Sequence, residues 1–136
     1  MDADARNIGG EEDFRAQAKA QVTELMRAVE AAEGVIVSTI ERECEALRAG
    51  RLLAADALRT RLRDAATLYL NITRAARASL WTIEQTLPGT CDLLEERRAA
   101  FSALLKVEMG VLAAERAATE SDLRFAQLDT GTAATL

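Results

Sequence analysis

No histidine occurs in this chain, and that absence alone removes the commonest general base and the commonest metal ligand. Cysteine is scarce as well. Cys44 and Cys91 lie far apart and have no imidazole beside them, so neither a zinc site nor a cysteine nucleophile is indicated. Proline occurs once, at Pro88, and the aromatics number five: Phe14, Tyr69, Trp81, Phe101 and Phe125. A sheet prefers branched and aromatic residues, whereas this chain is rich in alanine, which lets helices approach closely. No uncharged apolar run approaches the roughly 20 residues that cross a bilayer. The opening Met1-Asp2-Ala3-Asp4 is acidic where a signal peptide is basic, so a soluble, cytoplasmic protein is expected. Gly9-Gly10 is not followed by the lysine and hydroxyl of a phosphate-cradling loop.

What is present is helical periodicity. The stretch from Ile36 to Tyr69 organises the rest. Its first half places apolar or small residues at Ile36, Ile40, Cys44 and Leu47, and its second half at Leu58, Leu62, Ala65 and Tyr69, with Gly50 between. Gly50 suits the left-handed residue that ends a helix, so the two halves read as a tight helical hairpin. Neither arm is apolar enough to stand alone. The hairpin separates Cys44 and Cys91 by roughly 40 Å or more at 1.5 Å per helical residue, and both are expected as free thiols.

Extending outward, Glu11, Glu12 and Asp13 open a first helix, and its apolar face runs through Phe14, Ala18, Val22, Leu25, Val29, Ala32, Ile36, Ile40, Cys44 and Leu47. Gly34-Val35-Ile36-Val37 would pass for a short strand, but the period is in phase on both sides and the segment is read as helix. The seam of the second helix is Leu58, Leu62, Ala65, Tyr69, Ile72, Ala76, Leu80 and Ile83, widened by Leu68 and Trp81. Trp81 and Tyr69 are expected in the core, with their polar atoms at the rim. Leu87-Pro88-Gly89-Thr90 breaks the helix, and Thr90 or Asp92 caps a third one with the face Leu94, Arg97 or Arg98, Phe101, Leu104, Leu105, Val111, Leu112, Ala114 and Ala118. The expected fold is therefore all-α. It is an antiparallel, coiled-coil-like three-helix bundle, a long hairpin plus a third helix, with helices over about 12–49, 52–86 and 91–118 forming a single domain over 11–128. Residues 1–10 are expected to be disordered and 129–136 to be a flexible tail.

Charge follows the same division. Glu11 to Ala49 holds nine acids and five bases, Arg51 to Gln85 three acids and six arginines, and Thr90 to Leu128 seven acids and five bases. A basic middle helix between two acidic ones gains from rim pairing. The net charge of −5 argues against general affinity for nucleic acid or anionic lipid. Arg59, Arg61 and Arg63 diverge around a helix and lack interleaved aromatics. The carboxylates Glu41, Glu43 and Glu45, and Glu95 with Glu96, read as solvated surface, since a di-iron bundle also needs Glu-x-x-His pairs. No catalytic residue, metal site or cofactor is expected, and the chain is not expected to be an enzyme.

The hairpin segment resembles the FlgN-like flagellar export chaperones, whose pattern runs roughly E-x-x-x-L-x-x-G-D, then leucines, a lysine and often a tyrosine. Glu43, Leu47, Gly50, Leu58, Leu62 and Tyr69 fall into that pattern over about residues 36–78. Arg51 stands where an acid is common, and Arg61 or Arg63 stands near the usual lysine. The resemblance implies a small cytoplasmic chaperone of the flagellar, type III secretion pathway. Such a protein binds the carboxyl-terminal helical segments of hook-filament junction proteins and delivers them to the export gate. The positions that would serve are Val111, Leu112, Leu123, Phe125 and Leu128, at the end of the third helix, with Phe125 as the aromatic available to the gate. The same residues are equally compatible with packing against the hairpin. The other reading is a structural or regulatory homo-oligomer, in which Val35, Val37 and the alanine-rich faces meet a second copy.

Overall fold

The structure is a computed structural model that describes the backbone of residues 2–135 and the side chains of residues 9–128. It is all-α, with no strand among the described residues: α1 spans Asp2–Arg48, α2 Leu52–Ile83 and α3 Thr90–Thr135, packed as a helical bundle. The expected disordered start and flexible tail concern residues whose side chains lie, for the most part, outside those described. The helical backbone begins ahead of residue 12 and α3 continues beyond residue 118. Gly9 and Gly10 each cost a helix about 1 kcal/mol, which flanking helix formers absorb. Past residue 118 the buried seam thins, but Glu120, Leu123, Arg124, Ala126 and Gln127 still favour helix by propensity. α1 runs unbroken through Gly34-Val35-Ile36-Val37.

Gly50 ends α1 as its sequence requires. Its φ of 72° is left-handed, Arg51 N–H donates to the Ala46 carbonyl at 2.8 Å, and Gly50 N–H to Leu47 at 3.1 Å. That pair of bonds is the Schellman arrangement, and it satisfies two carbonyls that the helix end leaves open. Arg51 then accepts from Ala55 N–H at 2.9 Å, so α2 begins at once.

The second turn is closed differently from the sequence expectation. α2 stops at Ile83, short of about residue 86, where the Thr86 N–H bonds three residues back to the Ile83 carbonyl and tightens the last turn. Glu84 does the capping, in place of Thr90 or Asp92. Its Oε1 accepts from Gly89 N–H at 2.8 Å, and its Oε2 accepts from the Thr90 hydroxyl and Cys91 N–H, each at 2.9 Å. These bonds, led by the two backbone donors, hold the Glu84 carboxyl down at about 2. Gly89, at φ 95°, supplies the left-handed residue that lets the chain return to the carboxylate.

The chain divides into two compact units, residues 1–34 with 66–102 and residues 35–65 with 103–136. The divisions fall between Gly34 and Val35, between Ala65 and Ala66, and between Ser102 and Ala103. The first unit is built on Ala18, Val29, Ala76, Leu80, Ile83 and Leu94, with Leu25, Met26, Tyr69 and Ile72 against them. Tyr69 packs on buried Phe101 with ring centres 5.0 Å apart and planes tilted by 51°. Burial pushes the Tyr69 phenol up, and the nearby Glu33 adds to it. Trp81 departs from expectation: it is 75% exposed, because Leu80 and Ile83 take the inward positions on either side of it.

In the second unit Ile36, Ile40, Cys44, Leu58, Leu62, Ala65 and Leu112 are buried, and Ala46, Ala55 and Leu58 close the hairpin end against Leu47. Each unit also contains an acid of α1 held by an arginine of α3. In the first, Arg97 Nε and Nη2 both donate to Glu33 Oε1, at 3.0 and 2.7 Å, which leaves buried Oε2 with no hydrogen-bond partner. In the second, Arg116 Nε donates to Glu43 Oε2 at 2.7 Å and Nη2 to Oε1 at 3.0 Å. Glu43 therefore belongs to the interior and not to the solvated surface, although Glu41 and Glu45 on either side are exposed.

Candidate docking surface on the third helix

The five positions singled out on α3 do not share one face. At about 100° per residue, Phe125 stands well over 90° around the helix from Leu123, while Leu112 and Leu123 nearly coincide. The structure separates them accordingly. Leu112 is fully buried, so it is a core residue of the second unit and offers nothing to a partner. Leu123 looks toward the hairpin end, where it lines two shallow cavities of about 230 and 250 Å³ with Leu47, Leu52 and Thr119. Val111, Phe125 and Leu128 face away from the core, the last two at 67% exposure.

Those three belong to a longer row. Leu104, Val107, Val111, Ala114, Ala118, Phe125 and Leu128 recur at intervals of three and four, with Ser121 filling the remaining step. This is a heptad seam, and every member is exposed. The inner face of α3 has a different rhythm, running Leu94, Arg97, Phe101, Leu105, Leu112, Arg116, Thr119 and Leu123. One helix thus carries two apolar faces, of which the bundle uses one.

Charge borders the outer seam unevenly. Glu108, Glu115 and Asp122 follow each other at seven-residue intervals on one side, while the opposite border carries the small residues Ala103, Gly110 and Ala117 and then Arg124. Glu115 is engaged by Arg48 Nε at 2.8 Å, a bond that raises the arginine's affinity for its proton. A Cβ added at Gly110 would meet no atom within 4 Å, so nothing in the fold itself demands glycine there. A helix laid along this border could therefore come close to the α3 backbone.

Residues carrying reactive chemistry are not assembled anywhere described. No group of three or more His, Cys, Asp or Glu among the described residues could hold a metal ion. Cys44 is buried and Cys91 half-buried, both as free thiols. Burial is the main cause raising each above the ordinary thiol range, with the Glu84 hydrogen bond adding to it at Cys91, so neither is an activated nucleophile. No helix among the described residues is long and apolar enough to cross a membrane. No protein family, curated protein or solved structure matches the chain.

Proposed function

We propose that this chain is a helix-binding protein that receives an amphipathic helix of a partner along the outer seam of α3. The observation that carries the reading is the exposed three-and-four row from Leu104 to Leu128, whose apolar members repeat at helical spacing along one face instead of being scattered singly. The resemblance of residues 36–78 to FlgN-like chaperones supplies the candidate partner: the carboxyl-terminal helices of flagellar hook-filament junction proteins, held in the cytoplasm until they pass to the export gate. Of the positions first named, Val111, Phe125 and Leu128 contact the partner directly, and Leu123 shapes the neighbouring cavity. Methyl resonances give the test. On addition of a purified junction-protein segment, those of Leu104, Val107 and Val111 move while those of Leu80 and Leu94 stay. Movement confined to other residues, or none, contradicts the reading.

A second copy of the chain is the competing occupant, because a heptad seam also suits self-pairing. Antiparallel pairing of two such seams would set Glu108, Glu115 and Asp122 against their own counterparts, which like charges oppose. Sedimentation over a wide concentration range separates the two readings: a monomer favours the heterologous partner, and a dimer abolished by Val107→Asp favours the homo-oligomer.

A further inference from the structure

Trp81 is the single tryptophan of the chain, and it stands three-quarters exposed on α2. One exposed apolar residue needs no explanation, but the surroundings of this one do. Arg74, Arg77, Ala78 and Trp81 line a shallow depression of about 370 Å³. Ala78 forms its floor, because its short side chain leaves a gap between the larger ones at positions 74, 77 and 81. Leu70, also exposed, extends the same face by one turn. Charge is unbalanced there. Arg77 Nη2 reaches Glu95 Oε1 at 3.1 Å, Arg98 Nη1 reaches the same oxygen at 3.5 Å, and Arg74 has no ion pair among the described residues. Two guanidiniums thus share one carboxylate, and the third has none among the described residues.

We propose that this patch is a second docking site, distinct in its residues from the α3 seam, that takes an acidic protein segment carrying a large apolar side chain beside its carboxylates. Trp81 and Leu70 supply apolar area to cover, and Arg74 and Arg77 supply forks that bind carboxylates with two parallel bonds. Tryptophan and arginine together are the residue types that dominate interface energetics. Nucleic acid fits less well, because no second aromatic stands beside Trp81 to continue a stack of bases. A lipid surface is flat and would not fill the depression. The two faces then select partners of opposite charge: the acid-bordered seam of α3 prefers a helix with basic flanks, and the arginine patch of α2 an acidic one. The proposal does not depend on the identity of the α3 partner.

Trp81 reports on its own site, since all tryptophan emission of the full-length chain arises there. The probes are a synthetic leucine-seamed helix with glutamate flanks, the same helix with lysine flanks, and phosphatidylserine-containing vesicles. The glutamate helix is expected to shift the emission to shorter wavelength and to bind more weakly as salt is raised. The double substitution R74A/R77A should weaken it by at least about tenfold while lowering the melting temperature only slightly, because both side chains are exposed and the Arg77–Glu95 ion pair lies at the surface. Absence of a shift with the glutamate helix overturns the proposal. So does an equal shift with the lysine helix, a shift produced only by vesicles, or undiminished binding to R74A/R77A.

Discussion

Arg116 grips Glu43 through two parallel hydrogen bonds, Nε to Oε2 and Nη2 to Oε1, with the glutamate side chain 2% exposed. A fork of this kind has one good geometry, so it fixes how α3 is rotated against α1 in the second unit and therefore which face of α3 looks outward. The hydrogen bond to Glu43 also strengthens the arginine's hold on its proton. The pair specifies orientation more than it adds stability. Arg116→Ala leaves Glu43 charged and buried and is expected to cost about 3 kcal/mol, whereas replacing both residues with methionine should stay within about 1 kcal/mol of the parent. Urea unfolding of the three proteins measures both differences. Equal losses in the single and double variants would show that the pair stabilises directly.

Glu84 makes the α2–α3 turn sensitive to acid. Its folded carboxyl sits at about 2 against an ordinary 4.5, so the unfolded chain binds its proton first. The contribution of this cap is complete above the ordinary value and is lost as the pH falls from about 4.5 through about 2. Glu84→Gln cannot accept at both oxygens, so it should melt lower than the parent at neutral pH. The gap should close between those two values, as followed by thermal melts across the acid range. A gap independent of pH would mean that the three hydrogen bonds do not act through the charge.

Leu112 and Phe125 test the division of α3 into two faces. Leu112→Ala is expected to cost about 3 kcal/mol, as a fully buried leucine does. Phe125→Ala, at a position two-thirds exposed, should change stability by no more than about 0.5 kcal/mol and weaken partner binding instead. Chemical denaturation and titration of the same variants separate the two effects.

The stretch 120–128 is helical yet exposed throughout. Few buried contacts hold it, so its amides should exchange within the fast regime in the free protein and become protected when a partner helix is bound. Slow exchange in the free protein would place this stretch in the folded core.

Much of this architecture is legible in the sequence. Gly50 between two in-phase seams marks the hairpin, and Leu87-Pro88-Gly89 marks the second turn. The cap was not legible, because Glu84 bonds residues five to seven positions ahead of it, a reach that local capping patterns do not describe. Glu43 was hidden among Glu41 and Glu45, and only its place three residues after Ile40 and four before Leu47 signals that it points inward. The face of α3 was misread for a related reason. Leu104, Leu105, Val111 and Leu112 form adjacent pairs that a single-stripe reading merges, although one member of each belongs to the inner face and the other to the exposed seam.

The central claim is that the outer seam of α3 binds an amphipathic helix, and calorimetric titration with carboxyl-terminal segments of hook-filament junction proteins tests it most directly. The account predicts binding at micromolar affinity or better, a negative heat-capacity change from apolar burial, and loss of both in the variant V107D/V111D, which keeps its fold. No heat at any of several temperatures, or binding undiminished in that variant, would contradict it.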